Sequence, residues 1–188
     1  MITMLIALIA CVALGIAAIT FFRQRFLRDA LRDARMPSEL SAALRSTQER
    51  TGARVLLIRR PDHNPRTRLA CFAVDTREAW LGETTLERIQ DAGALDPSER
   101  APFRTVSGPL AIVCTHGRRD PCCARLGVPL YDALQHLVPA DSLWQSSHHG
   151  GHRFAANLLA LPYGVQLGRV RPGDAPSVVD QIENRMIP

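Results

Sequence analysis

Apolar positions fall into two regimes along this chain: one long uninterrupted run at the start, then short runs separated by charged loops. Residues 1–22, MITMLIALIACVALGIAAITFF, carry no charged side chain. As a helix the run would be roughly 33 Å long, enough to cross a hydrocarbon core of ~30 Å. The charge comes after it, as Arg23, Arg25, Arg28, Arg32 and Arg35 against Asp29 and Asp33. A secretory signal peptide carries its positive charge first, whereas arginines beyond the C-terminal end hold that end in the cytoplasm. The expectation is therefore a single transmembrane helix, N-terminus out and C-terminus in. It would anchor a cytoplasmic domain to the inner or plasma membrane. The rival readings are a signal peptide, a buried core helix, and a start that is not the native one; the last would leave the domain soluble in the cytoplasm.

Residues 23–53 read as an Arg-rich juxtamembrane and helical segment. A polar helix runs over 26–35, Pro37 breaks it, and a second helix over 38–49 stops at Gly52. Residues 54–106 form an N-terminal α/β part, with strands over 55–58, 69–74 and 79–81 and a short helix over 84–90. The stretch RRPDHNPRTR between the first two strands is a loop by its prolines and charges. Residues 91–108, rich in Gly, Pro and Ser, make the best internal boundary. From 107 to 188 the pattern becomes regular: strand PLAIVC, a helix over 123–137, a strand over 143–145 and a histidine-rich loop. A hairpin over 157–161 and 165–170 turns at Pro162-Tyr163-Gly164, and a helix over 175–186 closes the chain. The class is α/β. Strand, helix, strand, hairpin, helix is also the element order of the second half of a thioredoxin-like fold.

Composition narrows the function classes. At 188 residues and 46% hydrophobic, the chain has room for one membrane segment and one modest domain. A net charge of +5 invites a nucleic-acid reading. Yet all 23 basic residues are arginine, as in GC-rich coding sequence, and most are scattered. With 5% aromatic residues, stacking platforms for single strands are scarce. No nucleic-acid partner is expected.

The five cysteines are Cys11, Cys71, Cys114, Cys122 and Cys123. Cys11 and Cys71 lie in apolar runs and read as small packed hydrophobes. An odd number without regular spacing argues against a disulfide-stapled secreted domain. Cys114 and Cys123 instead frame the loop CTHGRRDPCC, and His148 and His152 frame HHGGH about 25 residues on. The first loop leaves a strand and opens a helix, whose free N–H groups favour thiolates. Gly150-Gly151 allows a tight loop from which two imidazoles converge.

Two thiolates and two imidazoles suit either zinc or an iron–sulfur cluster. Cys-x8-Cys is wide for a zinc finger, His-x3-His fits zinc well, and spacing alone leaves zinc open. Cys122 reads as a packed side chain, His116 and His149 as polar loop residues, and Asp120 as a brace for its loop. Arg118, Arg119 and Arg153 are placed to tune the site or dock an acidic redox partner, or else are solvated or paired with Asp120.

The run CTHGRRDPCC, then W-x-x-S-H-x-G-G-H-R-F-A-x-N, then LPYGVQLGRV, resembles the sucrase/ferredoxin-like family over about 54–179. That resemblance implies a thioredoxin-like ferredoxin domain and a [2Fe–2S] cluster. Its motif, C-x8-C joined to H-x3-H, lands on Cys114, Cys123, His148 and His152. Two cysteines would hold one iron and two histidines the other, leaving Cys122 and His149 aside. The implied chemistry is one-electron transfer with a redox partner protein, at a potential above that of all-cysteine ferredoxins. No sucrase activity is expected, since nothing pairs two carboxylates as a glycosidase requires. Two features depart from the family pattern: only Arg28-Asp29-Ala30-Leu31 remains of the run that ends its opening segment, and the chain stops at Pro188. Two other classes stay open beside this reading. One is a structural zinc domain. The other is a thioredoxin-like thiol oxidoreductase using Cys122 or Cys123, which lacks the usual Cys-x-x-Cys pair.

Overall fold

The computed structural model describes residues 4–10, 16–22, 38–51, 53–60, 68–73, 78–83, 104–105 and 108–184. Over these residues the chain is a mixed α/β sheet structure. Its strands are β1 (Met4–Ala10), β2 (Ile16–Phe22), β3 (Ala53–Arg59), β4 (Arg68–Ala73), β5 (Glu78–Glu83), β6 (Arg104–Thr105), β7 (Leu110–Cys114), β8 (Leu143–Ser146), β9 (Leu158–Leu161) and β10 (Val165–Leu167). Its helices are α1 (Ser38–Thr51), α2 (Pro121–Leu134) and α3 (Ala175–Glu183). The order across the sheet is β10-β9-β7-β8-β3-β1-β2-β4-β5-β6.

The N-terminal apolar run differs from expectation. Rather than one helix over 1–22, it contributes β1 and β2, paired antiparallel from Met4 opposite Phe22 to Leu8 opposite Ala18. No helix among the described residues is long and apolar enough to cross a membrane. The physical reason is an ambiguity of the pattern: an uninterrupted apolar run suits a buried strand as well as a helix, and periodicity does not separate them. β1 also pairs with β3, so its backbone hydrogen bonds are made between strands. The polar helix expected over 26–35 and the short one over 84–90 lie outside the described residues, as does most of the 91–108 boundary.

The part that positions the site runs from β7 onward. β7, LAIVC, is buried at every position, as befits an apolar strand flanked on both sides. It pairs parallel with β8 and antiparallel with β9. A parallel pair needs a crossover, and α2 supplies it. β8 in turn pairs antiparallel with β3, Ile58 opposite Ser146.

The helix begins two residues earlier than its apolar spacing suggested. Asp120 is its N-cap and Pro121 opens its first turn, where a missing N–H costs nothing. It ends at Leu134, and Leu137 is exposed. Buried Cys123, Gly127, Leu130, Tyr131 and Leu134 recur every three to four residues, so one face packs on the sheet. Val113, Leu158, Val178 and Ile182 complete that core. Burying one such leucine side chain contributes about 1.5–3 kcal/mol.

Candidate metal centre

Three elements meet at one end of β7. Cys114 is the last residue of that strand, fully buried, and its N–H bonds the Asn157 carbonyl at 3.0 Å. Cys123 stands in the first turn of α2, also fully buried, its N–H bonded to the Asp120 carbonyl at 3.1 Å. His148 follows β8 and is half-buried. Its Nδ1 lies 3.8 Å from Cys114 Sγ and 3.6 Å from Cys123 Sγ. The three ligand atoms all lie within 4.8 Å of one another.

The fourth expected ligand stands at the rim. The rings of His148 and His152 are 5.8 Å apart, centre to centre. His152 is exposed, and its Nε2 lies 3.9 Å from Asp120 Oδ2. So the structure brings Cys114, Cys123 and His148 together and leaves His152 beside them, held toward the helix cap. Cys122, set aside at the sequence level, is half-buried, and its backbone N–H donates to Asp120 Oδ1 at 2.9 Å. Asp120 therefore braces the loop as expected and also faces His152.

The loop between the histidines is built for this placement. Gly150 and Gly151 have φ of 99° and 70°, a region that costs most side chains energy. Asn157 Nδ2 donates to the Gly151 carbonyl at 2.8 Å and, more weakly, to the Gly150 carbonyl at 3.4 Å. Upstream, Ser147 ties the loop to β3: its N–H donates to the Leu57 carbonyl and its Oγ accepts from the Leu57 N–H.

Two histidines differ from their sequence reading. His116 and His149 are buried rather than polar loop residues. His116 Nδ1 accepts the His148 backbone N–H at 3.1 Å, which fixes its tautomer and the path of the ligand loop. Neither ring nitrogen of His149 makes a hydrogen bond of normal geometry. Burial pushes the His149 pKa down; the Cys114 sulfur opposes that shift, and Arg54 reinforces it. His116, Asn157 and Ser147 all act through the backbone, and a sequence carries no spacing rule for such contacts. Only Asn157 had a signal, its place in the run that ends R-F-A-x-N.

The two thiols behave as one acid. The neighbouring Cys123 thiol lowers the Cys114 pKa, and the Cys114 sulfur together with burial raises that of Cys123. Two buried anions this close cannot form together unless a cation joins them. Asp120 is held below the usual carboxylate range, first by the Cys122 N–H.

The donor chemistry fits an iron–sulfur cluster or zinc. The spacing adds a further point. Zn–S and Zn–N bonds of about 2.3 and 2.05 Å at a tetrahedral angle separate S and N by about 3.6 Å, close to the distances here. Thiolates and imidazoles on different irons of one cluster would stand further apart.

A family model described as Sucrase/ferredoxin-like matches residues 19–188. Among curated proteins no relative matches. Among solved structures, a cysteine-to-serine variant of the thioredoxin-like [2Fe–2S] ferredoxin from Aquifex aeolicus is similar at 17% identity and a TM-score of 0.38, over 43% of this chain and 91% of its own.

Proposed function

Because this chain belongs to the sucrase/ferredoxin-like family, we propose that it is an electron-transfer protein that binds a [2Fe–2S] cluster through Cys114, Cys123, His148 and His152. On this reading residues 107–188 form a thioredoxin-like ferredoxin domain. The observation that carries the proposal is the family match over residues 19–188, together with Cys114, Cys123 and His148 gathered at one site with His152 at its rim.

The group would supply one-electron transfer, at a potential above all-thiolate ferredoxins because a neutral imidazole replaces an anionic ligand. The chain's own residues do the rest. The N-terminus of α2 offsets the thiolate charge of Cys123. His116 sets the direction of the His148 loop. Burial of Cys114 and Cys123 excludes water, while half-buried His148 and exposed His152 give one edge of the site access to solvent and to a partner.

A structural zinc site is the second reading, and the S···N distances of 3.6 and 3.8 Å favour it. Visible and EPR spectra of the purified protein, with iron and sulfide assays, decide between them. Visible absorption with two irons and two sulfides per chain supports the cluster. A colourless protein with one zinc per chain overturns it.

A further inference from the structure

The exposed edge of the site carries a one-sided charge. Arg118 and Arg119 precede the cap residue Asp120, and Arg153 follows His152. Arg169 arrives from beyond β10 and lies over the Phe154 ring, 5.0 Å from its centre. All four arginines are exposed, and none pairs with a carboxylate among the described residues. Asp120, the carboxylate in their midst, is already engaged by the Cys122 N–H and by His152. The sequence alternative in which these arginines neutralise Asp120 is therefore not realised.

Two features set this rim apart from scattered surface charge. Phe154 is 50% exposed two residues beyond His152, so an aromatic ring stands at the same edge as the arginines. Arg169 has φ of 60°, a conformation uncommon outside glycine. Its N–H donates to the Phe154 carbonyl at 2.6 Å, which keeps it above that ring. Phe154 and Arg169, with Asn157, Gln166 and Gly168, line a recess of about 290 Å³. The Asn157 Oδ1 in its wall is buried without a hydrogen-bond partner. An aromatic ring and an arginine at a recess are the residue types that anchor protein interfaces.

We propose that the exposed edge running from Arg118 and Arg119 beside Asp120, past His152 and Arg153, to Phe154 and Arg169 is the docking face for an acidic redox protein. This rests on the electron-transfer reading above. Complementary charge would raise the encounter rate and align the partner, while Phe154 and the recess would hold it. The electron passes from the reduced site to the partner's acceptor with no bond made or broken.

The test uses two haem proteins of opposite charge as probes: acidic cytochrome b5 and basic cytochrome c. The full chain is reduced with dithionite and freed of excess reductant, and stopped-flow absorbance then follows reduction of haem iron(III) to iron(II) as the site is reoxidised. With cytochrome b5 the rate should fall as salt rises, because exposed charges are screened beyond ~10 Å at 0.1 M. The double variant R118E/R153E should slow that reaction on the order of tenfold at low salt. It should leave iron content unchanged and speed the reaction with cytochrome c. Phe154→Ala should weaken saturation by cytochrome b5 at every salt concentration.

Equal effects of the double variant on both probes overturn the docking face. So does a change seen with the small anion hexacyanoferrate(III) but not with cytochrome b5, which marks an anion site instead. A protein without iron overturns the electron-transfer reading and this one with it. An iron-loaded protein whose rates ignore the rim overturns only this one.

Discussion

Gly127 of the crossover helix packs against the carbonyl of Cys114 at the end of β7, so closely that a methyl group there would overlap the oxygen. The contact sets the distance between helix and strand, and so the distance between the two cysteine sulfurs. Gly127→Ala should push α2 away from Cys114. Overpacking of this kind costs about 1–3 kcal/mol, and here the displaced atoms belong to a residue proposed as a ligand. Thermal unfolding with metal analysis checks it: a lower melting temperature with less bound metal is expected, and full metal content in the variant would refute the idea.

Replacing Cys114, Cys123 or His148 with alanine should abolish metal binding, because each supplies one of three converging donors. His152→Ala should lower affinity less severely, since His152 stands at the exposed rim. Cys122→Ser should retain the metal, as its role at the cap is made by its backbone. Metal content after gel filtration gives the ranking. Equal loss in the Cys122 and Cys123 variants would contradict the assignment.

Cation binding should release protons. Burial and the closeness of the two sulfurs disfavour a second thiolate in the Cys114–Cys123 pair, so loading a divalent ion on the metal-free protein displaces about one proton from the pair. Calorimetric titration of zinc in buffers of different ionisation heat measures the number. A heat independent of the buffer would mean that the thiols were already both ionised.

The Asp120 cap gives a pH-dependent stability with a definite sign. Its pKa is lowered in the folded protein, so its contribution is fully present above the unfolded carboxylate pKa of about 3.9. It is lost as pH falls through the lower folded value. Melting temperatures of the native protein and Asp120→Ala, followed downward from pH 7, should start apart and converge in that acid range. A constant gap at every pH would rule out a contribution from the ionised carboxylate.

For the iron-loaded protein, the reduction potential should fall as pH rises through the range in which a ligating imidazole loses its second proton. At full coupling the slope is about 59 mV per pH unit for one electron. Voltammetry between about pH 6 and 10 tests this, and a flat profile would argue against histidine ligation.

The sequence by itself determined which cysteines and histidines were candidate ligands and most of the elements that carry them. Its apolar run PLAIVC, the Gly-Gly pair between histidines and the Pro-Tyr-Gly turn correspond to β7, the left-handed loop and the β9–β10 hairpin. These were legible because each depends on neighbours along the chain. The run at residues 1–22 was not, because an apolar stretch suits helix and strand alike until the partners of its backbone groups are known. Nor were the burial of His116 and His149, the close approach of Gly127 to Cys114, or the separation of His152 from the three inner donors. Each depends on which elements lie side by side. That arrangement is set by packing between residues far apart in sequence, which only the tertiary structure decides.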